Sequence, residues 1–248
     1  VMFARGLIGG GWAALYFTTF AMHGLEAARV VSSPVVGLAA LLVVAGGMIV
    51  HSTRYRSQTV TGLAYFVTFA TLGISEPSPF AIVALAPVAG SLLVLARRFA
   101  WTEMAVAGSG LTYLTFALCG VEAWPSGLEG IPYKQGMLVV YWLMFEAFEL
   151  LTKRGDRRDA RQGLLFPLNV VGFVSVSLLL WLEAGATRID GVLLMASALY
   201  VLSGAARWWW PRSEAARPQA LTSDEGWTFD VSIIVAAALL APALLLRF

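Results

Sequence analysis

Two acidic side chains, Glu146 and Glu149, lie inside a long apolar stretch of the chain, residues 136–152. Because they are three residues apart, they would share one face of a helix. An ionisable group within a membrane-spanning segment is costly to bury and by default suggests a functional role, such as binding a proton or a cation. This stretch therefore holds the first candidate polar site.

The neighbours of the two acids suggest different roles for them. Glu149 lies four residues before Lys153, the preferred order for a helical ion pair, so we interpret it as part of an interfacial salt bridge. Glu146 lies seven residues before Lys153, about 10 Å deeper along a helix. Asn169 lies eight residues after Arg161 in the next apolar stretch, so antiparallel packing would place it at nearly the depth of Glu146. A hydrogen bond between that carboxyl group and the amide would satisfy both.

The candidate intramembrane polar site is therefore Glu146, Asn169 and Glu149, and two interpretations of it stay open. Polar groups between helices often act only as structural glue. The same groups are also suited to a proton or cation relay, or to a polar cavity for a substrate.

Other reactive groups are scattered. His23 and His51 end the first and second apolar stretches on opposite sides, so they cannot share a metal ion. Cys119 is the single cysteine and excludes an internal disulfide. Glu122 and Lys134 lie in one polar loop with Glu129 and offer only a weak enzymatic cluster. We expect no catalytic residue, no metal and no cofactor.

Composition indicates a bilayer as solvent. Apolar residues make up 58% of the 248-residue chain and charged residues 13%, against about 45–50% and about 25% in a typical soluble domain. So little polar surface cannot coat a water-exposed domain. We expect the lipid bilayer as a partner, and other membrane proteins stay open as further partners. We expect no nucleic acid, because the basic residues lie at membrane edges and not along one face.

The positions of the apolar stretches predict an all-α polytopic transmembrane bundle of about nine spans, since a span needs about 20 apolar residues. We treat residues 1–248 as a single transmembrane domain. Because the chain begins and ends in hydrophobic sequence, we expect it to be a segment of a longer polytopic protein. The predicted spans are 6–23, 34–51, 59–75, 79–96, 101–120, 136–152, 163–183, 189–207 and 229–247.

Basic residues fall in every second gap between these spans, which is the pattern of the positive-inside rule. It places the N-terminus of the chain on the cytoplasmic side. Twelve of the 17 Lys and Arg residues lie in four alternate gaps: Arg54, Arg56, Arg97, Arg98, Lys153, Arg154, Arg157, Arg158, Arg161, Arg207, Arg212 and Arg217.

Three odd-numbered spans share an order of Gly, Tyr and then Thr-Phe-Ala or a close variant, with Tyr16, Tyr65 and Tyr113 spaced by 49 and 48 residues. This spacing favours duplicated helical hairpins, with odd helices inside and even helices facing lipid, over chance similarity among apolar helices. The predicted repeats are 6–51, 59–96 and 101–152.

The same residues carry a family resemblance. The segments GGGWAALYFTTFA (9–21), HSTRYRSQ (51–58) and TGLAYF (61–66) resemble the bacterial domain-of-unknown-function family 2339 over roughly residues 5–120. That family consists of predicted multi-pass membrane proteins. The resemblance implies the fold and a bacterial inner-membrane location, and it brings no catalytic residues.

Three functions remain for such a chain. The first is an uncharacterised structural or scaffolding membrane protein associated with the cell envelope. The second is a transporter or a lipid or substrate carrier that uses Glu146 and Asn169. The third, and the weakest, is a membrane-embedded enzyme acting on lipid-linked substrates.

The charge pattern generates a topology prediction. A cysteine introduced in residues 121–135 should be labelled from outside intact cells by a membrane-impermeant thiol reagent, and one introduced in residues 153–162 should be spared. The reason is that five basic residues in one short loop resist translocation. The reverse labelling pattern would refute the orientation.

Overall fold

The computed structural model describes residues 2–54, 56–124, 127–152, 164–185, 189–213 and 223–247, with side chains left out of the description at 2–10, 23–24, 210–213, 223–229 and 247. This part of the chain forms nine α-helices and contains no strand, so the all-α prediction is confirmed. The helices are α1 (Met2–Gly24), α2 (Pro34–Thr53), α3 (Gln58–Ile74), α4 (Pro79–Phe99), α5 (Thr102–Thr115), α6 (Ile131–Thr152), α7 (Leu165–Glu183), α8 (Asp190–Ser213) and α9 (Ser223–Arg247).

Local sequence explains where several helices begin and end. Ser57 and Ser78 accept hydrogen bonds from the amides of Val60 and Ala81, which caps the first turns of α3 and α4. Proline occupies the first position of α2 and of α4, where no amide is needed. Ala100 adopts a left-handed conformation (φ 55°) that ends α4 directly before α5.

Helices α6 and α8 are among those that extend beyond the predicted spans. Helix α6 begins at Ile131, so Lys134 and Gln135 belong to the helix and not to the loop before it. Helix α8 continues to Ser213, so Arg207 lies inside a helix and not in a cytoplasmic gap. Both extensions add polar residues that neighbouring helices can cover, which a hydropathy pattern read along one segment does not register.

Helices that are two apart along the chain pack against each other. Helix α3 contacts α5, α5 contacts α7, and α4 contacts α6, while sequential neighbours such as α1–α2, α6–α7 and α7–α8 also touch. Helices α8 and α9 form the closest pair, and Ser197 donates a hydrogen bond across it to the carbonyl of Ala236. The result is a bundle in which most helices have neighbours on several sides.

The expected division into inner odd helices and outer even helices is wrong. The even helix α6 buries Tyr141, Trp142 and Phe145 in the centre of the bundle. The odd helix α1 has no buried side chain among its described residues 11–22. Burial depends on position in the bundle, because α6 packs against α4 and α7 and bonds to side chains of α8, whereas α1 lies at one edge.

Large apolar side chains cover the outside of the bundle. Examples are Phe17, Val43, Val94 and Leu118, each more than 60% exposed. Among the described residues, four segments are long and apolar enough to cross a membrane: Pro34–Thr53, Pro79–Phe99, Leu165–Glu183 and Asp190–Trp209. Gln58–Ile74 and Asp230–Leu246 are shorter apolar helices. An apolar exterior on helices of this length is typical of proteins in a bilayer.

The three tyrosines of the predicted repeat all bond to a polar side chain on another helix. Tyr16 contacts Thr71 two helices further on, and Tyr113 donates to Asn169 two helices further on, at separations of 55 and 56 residues. Tyr65 bonds instead to Ser91 on the adjacent α4 at 2.8 Å. Two tyrosines therefore have equivalent roles and one differs, and the hairpin duplication stays a prediction.

The contact between α5 and α7 predicts a specific steric effect. A Cβ atom on Gly172 would lie 2.6 Å from Cγ of Tyr113, where no relaxed contact is possible. Gly172→Ala should therefore lower the free energy of unfolding by about 1–3 kcal/mol, measured by thermal unfolding in detergent. Gly62→Ala is the matched control, because nothing lies within 4 Å of that Cβ position. Equal melting temperatures for the two variants would contradict the close packing.

Candidate functional site

The candidate site begins with the acidic face of α6. Glu146 and Glu149 lie one turn apart and are only 4% and 8% exposed, so both are buried as a pair on one face, in agreement with their spacing. That face points towards α8. A buried carboxylate requires a partner, because desolvation of an unpaired charge is very unfavourable.

Arg207 on α8 is the partner of both carboxylates. Its guanidinium donates through Nη1 to Oε1 of Glu149 at 3.2 Å and through Nη2 to Oε2 of Glu149 at 3.0 Å. Nη2 also forms an ion pair with Oε1 of Glu146. Arg207 is 7% exposed, and its planar fork provides the two-point geometry that a carboxylate accepts best.

Ser203 and Phe166 complete this cluster. The hydroxyl of Ser203 donates to Oε1 of Glu146 at 2.6 Å and accepts from Nε of Arg207 at 3.2 Å. The ring of Phe166 on α7 lies 4.7 Å from Cζ of Arg207, which is a cation–π contact. The cluster thus connects α6, α7 and α8. We call Glu146, Glu149, Ser203 and Arg207, covered by Phe166, the ion cluster.

One oxygen of the ion cluster has no partner. Oε2 of Glu146 is buried and makes no hydrogen bond in the described structure. Leaving such an atom unsatisfied costs about 1–3 kcal/mol. It is also the atom of Glu146 to which a proton can be added without breaking a hydrogen bond.

Asn169 does not bond to Glu146, so this part of the predicted site is wrong. Its Oδ1 accepts from the hydroxyl of Tyr113 at 2.6 Å, and its Nδ2 donates to the carbonyl of Trp142 at 3.3 Å. Asn169 is 1% exposed. The amide is turned towards α5 and the backbone of α6 because Ser203 and Arg207 occupy the side of Glu146 that faces α8.

Tyr200 lies beside both polar groups. Its hydroxyl accepts from Nε1 of Trp142 at 3.2 Å, and its ring makes edge contacts with Trp142 and Phe166. The ring of Tyr200 thus lies between the ion cluster and the second polar group, which consists of Asn169 and its partners Tyr113 and the carbonyl of Trp142. The two groups are therefore separate hydrogen-bonded sets that share aromatic walls.

Lys153, the predicted ion-pair partner of Glu149, lies outside the described residues, so this ion pair stays a prediction. The basic residues Arg154, Arg157, Arg158 and Arg161 also lie outside them. Arg207 is the functional residue that sequence reasoning missed. It stood at the last position of a predicted span, beside three tryptophans, and was counted as a loop charge. Two acids on one face of α6 were the signal that a cation had to reach them from another helix.

The remaining polar candidates do not join this site. Lys134 donates to the carbonyl of Val121, and Gln135 donates to Ser177 at 2.9 Å, near the opposite end of α6. Lys134 and Glu122 share a cleft of about 240 Å³ with Glu183, and Glu129 is not in its wall. A larger cleft of about 490 Å³ lies between the α1–α2 and α3–α4 connections. Neither cleft is lined by a residue of the ion cluster.

The His and Cys side chains that the structure describes lie apart from one another. No three of the described His, Cys, Asp or Glu residues are grouped as a metal site would require. His51 packs its ring 5.9 Å from that of Trp12. Cys119 is buried and its Sγ lies 2.9 Å from the carbonyl of Thr115.

Comparisons with known proteins add no identity. No family model, no curated protein and no solved structure matches the chain significantly. The site must therefore be interpreted from its own geometry.

The ion cluster predicts a large effect of removing its cation. Arg207→Met should lower the free energy of unfolding by about 3–5 kcal/mol, because it leaves two carboxylates buried without that partner. The triple variant Arg207→Met/Glu146→Gln/Glu149→Gln should recover most of the loss, since no charge then remains in the cluster. Thermal unfolding in detergent measures both.

Arg97→Met is the matched control, because Arg97 is an exposed basic residue at the end of α4. It should leave the melting temperature nearly unchanged. If the triple variant is no more stable than Arg207→Met, the unpaired carboxylate charges are not the cause of the lost stability.

Proposed function

We propose that this chain is a bacterial inner-membrane protein related to the domain-of-unknown-function family 2339, and that its nine helices form a structural scaffold in the envelope. The apolar exterior of the bundle and the four helices suited to crossing a membrane support the location. The motifs in residues 9–21, 51–58 and 61–66 support the family. The alternating basic gaps support a cytoplasmic N-terminus.

The observation that carries the scaffold function is the closure of the ion cluster. Arg207 contacts both carboxylates at once, and all three side chains are buried. A transport carboxylate needs a cavity through which its ligand arrives. In the ion cluster, three of the four carboxylate oxygens accept hydrogen bonds from Arg207 or Ser203, and this geometry favours a clamp between α6 and α8 over a site in use.

A second function, proton handling, has one observation in its favour. Oε2 of Glu146 is buried without a hydrogen-bond partner, whereas the hydroxyl of Ser203 and Nη2 of Arg207 both donate to Oε1 of the same carboxylate. Protonation of Oε2 would weaken the ion pair and loosen α6 from α8. This is the step that a proton-coupled carrier requires.

Proton flux in proteoliposomes separates the two functions. We expect vesicles containing the protein to show the same potential-driven proton uptake as empty vesicles, read with a trapped pH-sensitive dye. Glu146→Gln should leave that flux unchanged and lower the melting temperature, because the amide cannot replace an ion pair worth about 1–3 kcal/mol.

Glu103→Gln is the matched control, since Glu103 is an exposed carboxylate at the same end of the bundle. It should change neither flux nor stability. Proton uptake above that of empty vesicles, present in Glu103→Gln and lost in Glu146→Gln, would refute the scaffold and establish the carrier.

A further inference from the structure

The larger of the two clefts lies at the end of the bundle away from the ion cluster. It is enclosed by the α1–α2 connection, the start of α2, the end of α3 and the α3–α4 connection, and it has a volume of about 490 Å³. Volumes of this size are typical of pockets that bind small molecules. Its wall divides into a charged rim and an apolar floor.

The rim carries one charge of each sign. Arg29 comes from the α1–α2 connection and Glu76 from the α3–α4 connection, and both side chains are exposed. Serine hydroxyls stand beside them at Ser32, Ser75 and Ser78. A ligand with an anionic and a cationic group could therefore meet both charges.

The floor is apolar and extends into the bundle. Leu38 and Leu41 are buried and lie four and seven residues after Pro34, about 6 and 10 Å below the start of α2. Phe20 forms part of the same wall from α1. The lining of the cleft therefore changes from polar to apolar along the helix axes, which matches the order of the polar head and the apolar chain in an amphiphile at a membrane surface.

The backbone that carries the rim is held in place before any ligand arrives. The amides of Val30 and Val31, directly after Arg29, both donate to the carbonyl of Met22, at 2.8 and 3.0 Å. Ser78, two residues after Glu76, caps α4. A site whose two charged residues are held on fixed turns loses less entropy on binding.

We propose that this cleft binds a phospholipid with a zwitterionic head group, a phosphate ester that carries an ammonium. The guanidinium of Arg29 takes the phosphate, because its planar donors match phosphate oxygens. The carboxylate of Glu76 takes the ammonium. The first acyl carbons lie against Leu38 and Leu41. The proposal goes beyond the scaffold function and depends on the proposed membrane location only for the supply of lipid.

Lipid binding by the purified full chain in detergent tests the proposal, with native mass spectrometry as readout. The probes are phosphatidylethanolamine, phosphatidylglycerol and diacylglycerol of equal chain length. We expect phosphatidylethanolamine to bind most tightly and diacylglycerol least. Arg29→Gln should weaken both phospholipids about tenfold, and Glu76→Gln should weaken phosphatidylethanolamine about tenfold while sparing phosphatidylglycerol.

Arg97→Gln, at the opposite end of the bundle, is the control and should change nothing. Because Arg29 and Glu76 are exposed, both variants should keep the wild-type melting temperature. Equal binding of all three lipids, or no effect of either variant, would overturn the proposal. If free phosphoethanolamine at matched concentration displaces the lipid, the ligand of the cleft is a soluble zwitterion and the lipid proposal is refuted. A proton flux in vesicles would refute the scaffold alone.

Discussion

The burial of a guanidinium and two carboxylates inside an apolar bundle is the constraint around which α6, α7 and α8 are arranged. Each charge removed from water costs several kcal/mol, and the pairing compensates only when the geometry is good. Arg207 meets that condition with two bonds to Glu149, an ion pair to Glu146 and a ring face of Phe166. A rotation or a slide of α8 against α6 would break several of these contacts at once. The ion cluster therefore selects one register for the two helices.

The rest of the core follows the same rule on a smaller scale. Tyr113 bonds to Asn169, Trp142 bonds to Tyr200, and Tyr141 bonds to the carbonyl of Ile82. Each bond joins helices that are two apart along the chain, at separations of 56 to 59 residues. In a bilayer, apolar contact alone distinguishes poorly between helix neighbours, because lipid tails are as apolar as Leu side chains. Hydrogen bonds between particular pairs supply the specificity that the hydrophobic effect provides in water.

The two ends of the bundle differ in chemistry. At one end the charges of the ion cluster are paired and buried. At the other end Arg29 and Glu76 are exposed at the rim of an open cleft. Buried and paired charges hold helices in one arrangement, whereas exposed charges above an apolar floor can exchange their partners for a ligand. The buried charges and the open cleft therefore lie at opposite ends of the bundle and on different helices.

The sequence by itself determined the all-α class, the nine helical segments and the shared face of Glu146 and Glu149. These features depend on local hydropathy and on the 3.6-residue period, so they can be read within one segment. Helix ends were less exact, as α6 and α8 show, because neighbouring helices cover polar residues that a hydropathy pattern assigns to loops.

Only the tertiary structure decided which polar groups meet. Arg207, assigned from sequence to a loop, is the partner of both acids, and Asn169 bonds to Tyr113 although its depth matches that of Glu146. Depth along a helix follows from residue number, but the partner depends on how each helix is rotated and which helix lies beside it. Every residue turns the side chain by about 100°, and the neighbours are set by the packing of the whole bundle. Neither quantity is present in the order of residues within a single span.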